Sequence, residues 1–269
     1  MTRSQKTFPS AKSDIQQAKS VPDTPQTRSP VYRLAFADSD FLCSDELRPM
    51  RIQLEMLKPE MVLSERGIES TIVLFGGARI PEPAQKDKAR TKTLADLSKY
   101  YDEAREFSRL MTLKSMENGG RENVIVTGGG PGVMEAGNRG AADAGGSSIS
   151  LNIVLPHEQV PNQYCTPDLC FNFHYFATRK IHFLMRAKAV TIFPGGFGTL
   201  DEMFETLTLI QTKRMERIPV ILFGEKFWRS IINWEALAEA GTISDKDIDL
   251  FHFVETAAEA MDVLSKAGS

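Results

Sequence analysis

From residue 70 onward, short apolar runs rich in β-branched residues alternate with longer stretches of helical periodicity. Thr71–Phe75, Val124–Thr127, Ser148–Ile153, Val190–Phe193 and Val220–Phe223 are nearly continuous apolar blocks, and they predict strands. The segments near 90–117, 132–144, 176–188, 200–213, 226–240 and 256–266 carry the 3.6-residue spacing of helices. Strands that are apolar at every position are buried on both faces, and interleaved helices supply the cover. The pattern therefore predicts an α/β fold: a doubly wound parallel sheet between two helical layers, a three-layer αβα body over residues 70–269. Residues 31–69 read as a helical N-terminal extension. Leu47, Met50, Leu54 and Leu57 mark its apolar face, Pro49 and Pro59 break it and Gly67 closes it. Residues 1–30 hold Pro9, Pro22, Pro25 and Pro30 among Ser, Thr and Gln, with few large apolar side chains, and read as a disordered tail.

Composition narrows the class. At 42% hydrophobic and 25% charged residues in 269, the chain has the makings of an ordinary globular core. A net charge of −3 and a pI near 5.9 exclude an evident nucleic-acid or membrane-surface binder. No uncharged apolar run approaches the ~18 residues of a membrane span. Three cysteines are too few and too odd in number for a disulfide framework, which fits a reducing, cytoplasmic setting. The basic balance of the tail (Arg3, Lys6, Lys12, Lys19 and Arg28 against Asp14 and Asp23) resembles a transit peptide faintly. Its prolines and missing amphipathic face argue against that.

Three predicted strands end in glycine clusters: Gly76-Gly77 after the first, Gly128-Gly129-Gly130-Pro131-Gly132 after the second, and Pro194-Gly195-Gly196-Phe197-Gly198-Thr199 after the fourth. In open parallel sheets ligands bind beyond the carboxyl ends of the strands. Glycine there lets amide N–H groups approach an anion, and the following helix adds the partial positive charge of its first turn. One such cluster is an ordinary βα turn; three at one sheet edge point to a phosphate or nucleotide. The dinucleotide fingerprint fails, because Val133 stands where its third glycine belongs, and neither a Walker loop nor a G-x-S-x-G elbow is present. A mononucleotide held by amides and a threonine hydroxyl remains.

The run Pro194-Gly195-Gly196-Phe197-Gly198-Thr199-Leu200-Asp201-Glu202 resembles the PGGxGTxxE signature of the Lonely Guy family. Val126–Glu135 is similar to that family's GGGxxGxM segment, and Arg179-Lys180 stands where its Arg-Lys pair opens a helix. The resemblance covers about residues 70–265. Phe176-Ala177-Thr178 departs from the Met-His of the shorter members, so the chain resembles the longer, bacterial-type branch. The resemblance implies a Rossmann-like fold and a phosphoribohydrolase of the AMP nucleosidase or cytokinin-biosynthesis type. It would cleave a nucleoside 5′-monophosphate to free base and ribose 5-phosphate, with no cofactor and no metal, as a homodimer or higher oligomer whose contacts involve the helices at 176–188 and 200–213. Glu202 is then the candidate general base or electrostatic partner of an oxocarbenium-like transition state, and Arg179 its cationic counterpart. Gly195, Gly196, Gly198 and Thr199 would cradle the phosphate. Gly128, Gly129, Gly130, Gly132, Met134 and Glu135 would line the nucleoside end, and Lys180 completes the candidate binding set.

Plainer readings stand beside these. Thr199-Leu200-Asp201-Glu202 is also a literal capping box, which makes Glu202 a helix cap. Lys180 reads as a salt-bridge partner, Met134 as core, and Leu200, Met203, Phe204, Leu207 and Ile210 as the buried stripe of their helix, with Glu202 off it. Cys165, Cys170 and His174 match no zinc spacing. His157 and His182 read as structural or exposed, and Trp228 and Trp234 as packing residues. A pyridoxal-phosphate decarboxylase is rejected because no lysine is singled out for a Schiff base. The competing function is a non-catalytic carrier that holds a phosphorylated ligand in the same crevice.

Overall fold

A computed structural model describes residues 8–156 and 160–267; His157 lies outside the described residues. The chain divides into two compact units, the first ending at Glu55 and the second beginning at Met56.

The first unit is held by local bonds. Helices α1 (Ala11–Ala18), α2 (Pro25–Arg28) and α3 (Ser39–Leu42) are capped by Ser10, Thr24 and Asp38, and none of their residues is buried. The stretch expected as a disordered tail thus carries two short helices from residue 11. Serine and threonine caps satisfy the first-turn amides without any core. The long helix α4 (Arg48–Glu65) runs through both prolines that were expected to break it. Pro49 sits in the first turn, where its missing N–H has no partner to lose. Pro59 costs about 3 kcal/mol in a helix interior. It is buried with Leu63, and burial of one such side chain returns about 1.5–3 kcal/mol.

The second unit is a seven-stranded sheet, parallel throughout: β1 (Thr71–Phe75), β2 (Val124–Thr127), β3 (Ser148–Ile153), β4 (Cys170–Phe173), β5 (Ala187–Ile192), β6 (Val220–Phe223) and β7 (Phe251–Val254), in the order β4-β3-β2-β1-β5-β6-β7. Strands β4 and β7 have no counterpart in the sequence pattern. Each is a four-residue edge strand with one neighbour, so polar and exposed positions interrupt its apolar ones. The remaining helices are α5 (Lys92–Asp96), α6 (Lys99–Glu117), α7 (Val133–Asp143), α8 (Phe176–Leu184), α9 (Phe197–Gln211), α10 (Glu225–Ile231), α11 (Trp234–Glu239) and α12 (Ala257–Ala267).

Period-two alternation sorts the core. Val73, Phe75, Val190 and Ile192 face one side, packed with Phe183 of α8, Met203 and Ile210 of α9, Trp228 and Trp234. Ile72, Leu74, Ile125 and Ile221 face the other, against Tyr101, Ala104 and Phe107 of α6, Val133 and Ala136 of α7 and Ala260 of α12. These two layers on one parallel sheet are the predicted three-layer fold. Strand order reverses between β1 and β5, and there the chain leaves the sheet in opposite directions and opens a crevice.

Candidate active site

The glycine clusters after β1, β2 and β5 meet at this reversal. The Gly77 amide donates to the Pro194 carbonyl at 2.9 Å, and the Val133 amide to the Gly77 carbonyl at 3.3 Å, so each loop holds the next. Gly132 needs its glycine. Its φ is +67°, and a Cβ there would stand 2.5 Å from the Gly77 carbonyl oxygen. The β2 loop is further fixed by Asn162, whose Nδ2 donates to the Gly129 and Gly130 carbonyls at 3.1 Å each and to Asn138 Oδ1 at 2.9 Å. Asn138 in turn accepts from Thr127 Oγ1 at 2.7 Å, tying the loop to the end of its strand.

The loops wall a cavity of about 1480 Å³. Of the residues singled out by sequence, Arg179, Glu202, Gly128, Gly130, Met134, Glu135, Gly195, Gly196, Gly198 and Thr199 line it. Gly129, Gly132 and Lys180 do not. The two glycines shape the loop behind the wall. The Lys180 ammonium is taken by Asp201 at 2.8 Å and Glu205 at 3.0 Å, joining α8 to α9.

The helix start decides between cap and catalyst for Glu202. Helix α9 begins at Phe197 with Gly196 as its N-cap, and no side chain caps it. Thr199 is therefore already in the first turn and Glu202 in the second, so the capping-box reading does not hold. The expected stripe also shifts. Phe204 is exposed, while Thr199, Glu202, Met203, Thr206 and Ile210 are buried, so Glu202 lies on the inward face. Flexible glycines at 196 and 198 allow the helix to start early, and no side chain caps its first-turn amides.

Glu202 is 7% exposed, and its buried Oε2 has no hydrogen-bond partner among the described residues. Burial raises its pKa to about 7, with Lys180 and Arg179 pulling it down and Glu205 and Asp201 pushing it up. The Arg179 guanidinium is itself lowered by burial and raised by Glu202. Its Nε donates to the Leu151 carbonyl at 2.7 Å, and its head lies 5.2 Å from the centre of the Phe183 ring. Arg179 and Glu202 line the same cavity, and among the described residues they form no direct ion pair. Glu135 accepts from the buried Tyr101 hydroxyl at 2.9 Å, which aims it from the opposite helix.

Sequence reasoning missed Asn152, Asn162, Phe171, Phe176 and Phe183 as lining residues. Asn152 had a signal: it is the amide side chain nearest the carboxyl end of its strand, following Ser148 and Ser150 at alternate positions, and it lies beside the loop of Gly129. Cys165 and Cys170 bind locally instead, to Ser150 Oγ at 2.6 Å and Asn152 Nδ2 at 3.2 Å. His182 is buried beside Glu60 and Phe173.

Comparison with known proteins gives a partial match. Residues 134–264 match the model of the family described as "Possible lysine decarboxylase". No curated protein matches the chain. Among solved structures, the chain is similar to a structural-genomics target determined by X-ray crystallography, at 20% identity and a TM-score of 0.49, covering 73% of this chain and 99% of that one. It is similar to the molybdenum cofactor binding protein from the phototrophic bacterium Rippkaea orientalis, at 17% identity and a TM-score of 0.48, covering 75% and 98%. The Moco carrier protein from Chlamydomonas reinhardtii has 17% identity and a TM-score of 0.47, with coverage of 74% and 97%. Among the described residues no helix is long and apolar enough to cross a membrane.

Proposed function

We propose that this chain is a Lonely Guy-type N-glycosidase of the longer branch, which hydrolyses a nucleoside 5′-monophosphate, AMP or a close relative, to free base and ribose 5-phosphate. The observation that carries the reading is Glu202: a carboxylate buried at the edge of a glycine-walled crevice, with one oxygen unpartnered and a pKa near neutrality. The family match over residues 134–264 supports it.

In this reading the 5′-phosphate sits on the uncapped amides of α9 beside Gly195, Gly196 and Thr199. The base lies against Met134, Phe171 and Phe176, which offer apolar surface for a planar ring. As the C1′–N bond lengthens, positive charge grows on the ribose, and ionised Glu202 stabilises it and accepts the proton of the attacking water; the base leaves with the bond's electron pair, and that proton passes through solvent to its nitrogen, returning Glu202 to the carboxylate. Arg179 orients the ribose-phosphate through its planar fork, held in place by Leu151 and Phe183. The enzyme acts in the cytoplasm as a homodimer.

The decarboxylase description does not fit the residues present. Pyridoxal phosphate needs a lysine for its Schiff base. Among the described residues no lysine lines the crevice, and Lys180, the one expected there, is neutralised by two carboxylates.

The test is base release from AMP, adenosine and GMP, followed by chromatography. AMP yields adenine, adenosine does not, and Glu202→Gln lowers the rate by roughly 10²–10⁴-fold. AMP binding with no base released in the native protein would overturn the enzyme reading in favour of the carrier.

A further inference from the structure

A second cavity, of about 480 Å³, adjoins the crevice. Its walls include Arg79, Lys88 and Arg90, and it shares Arg79 and Leu94 with the crevice itself. Between Arg79 and Lys92 the chain carries five cations (Arg79, Lys86, Lys88, Arg90 and Lys92) and only two carboxylates, Glu82 and Asp87. Glu82 is already engaged by Arg139 at 2.9 Å. Among the described residues, Arg79, Lys88 and Arg90 make no ion pair. In a chain of net charge −3 this is a local reversal of sign, and three of the five cations, Arg79, Lys88 and Arg90, line the one cavity.

Its position gives the reversal a meaning. Arg79 stands two residues beyond Gly77, whose amide is bonded to Pro194, the residue that opens the phosphate-seating loop. The basic cavity therefore borders the phosphate end of the crevice. A ribose 5′-monophosphate occupies the amides of α9 and leaves these cations unused. An anionic chain continuing from that phosphate would meet them next.

We propose that the crevice also binds nucleoside 5′-di- and triphosphates, with the α-phosphate on the N-terminus of α9 and the distal phosphates in the cavity of Arg79, Lys88 and Arg90. The inference rests on the nucleotide reading above and extends it to a competing ligand. Two guanidinium forks suit phosphate oxygens, and Lys88 adds a point charge. Because Arg79, Lys88 and Arg90 are exposed, the added affinity is screened by salt.

The experiment is calorimetric titration of the full chain at low ionic strength with AMP, ADP, ATP and inorganic tripolyphosphate, in the presence of a chelator so that the phosphates remain bare anions. The native chain and a Lys88→Ala/Arg90→Ala variant are compared after their melting curves are shown to coincide. ATP is expected to bind about tenfold more tightly than AMP, with ADP between them. In the variant the ATP-to-AMP affinity ratio falls to about one, and tripolyphosphate binding weakens in parallel. AMP binding without any ATP advantage, or an advantage that survives in the variant, overturns this proposal and leaves the monophosphate reading intact. Failure of AMP itself to bind overturns both.

Discussion

At the scale of single residues, Glu202 carries two opposite consequences of one titration. Its pKa in the folded chain is about 7, against an ordinary value of 4.5, so between these limits the folded state binds more protons than the unfolded state. Stability therefore falls as pH rises from about 4.5 to about 7, and the loss, on the order of 3 kcal/mol, is complete above that window. If Glu202 is the general base proposed above, activity is expected to run the other way, because the base must be ionised: kcat/KM should rise with pH and level off above about 7. Glu202→Gln removes the titrating group. It should leave Tm nearly unchanged at pH 5 and raise it by roughly 5 °C at pH 8, while activity is lost at both. Calorimetric scans at the two pH values check this, and equal Tm shifts at both would mean that burial does not raise the Glu202 pKa. A structural cap would show no such divergence between stability and rate.

At the scale of elements, the crevice depends on three loops that brace one another, and Gly132 is the joint. Gly132→Ala must place a Cβ against the Gly77 carbonyl and Ala78 backbone at a φ of +67°, where neither neighbour is a flexible side chain. Left-handed strain costs about 1–3 kcal/mol, and the clash adds to it. Urea denaturation should show a loss of more than about 2 kcal/mol with AMP binding weakened in the variant that remains folded. Gly196→Ala is the control for stability alone, since a Cβ there meets nothing within 4 Å, while its place in the phosphate cradle makes it no control for binding. The same elements show what could be read in advance. The buried strands β1, β2 and β6 declare themselves as apolar runs, and the glycine clusters mark their carboxyl ends. The edge strands β4 and β7 do not, because a one-neighbour strand needs no continuous apolar run. Glycine and threonine at 196–199 conceal the true start of α9: the local pattern equally allows a cap at Thr199, whereas the helix begins at Phe197. Asn162 was illegible for another reason. Its value lies in reaching back more than thirty residues to the Gly129 and Gly130 carbonyls, a contact that no local window contains.

At the scale of the whole molecule, the helical layer over the crevice side of the sheet leaves large apolar side chains in water. Phe176, Ile181 and Met185 on and just after α8 are 52%, 47% and 49% exposed, and Phe204 on α9 is 39% exposed. Lys180 clamps α8 to α9, so these side chains belong to neighbouring, rigidly joined helices rather than to scattered positions. Such a surface is expected to be covered, and a second copy of the chain is the partner whose concentration always matches. In a two-fold interface each residue appears twice, so one introduced charge becomes two like charges held close together and stripped of water. Ile181→Asp should therefore cost about 3 kcal/mol or more, over a hundredfold in dimer affinity. Light scattering at micromolar concentration should give twice the 30.0 kDa chain mass for the native protein and the single mass for the variant. Because α8 also carries Arg179, separation of the copies should lower kcat/KM without moving the pH at which the rate levels off, since Glu202 keeps its own burial. A native mass of 30.0 kDa would remove the dimer, and a variant that stays dimeric would move the interface away from α8.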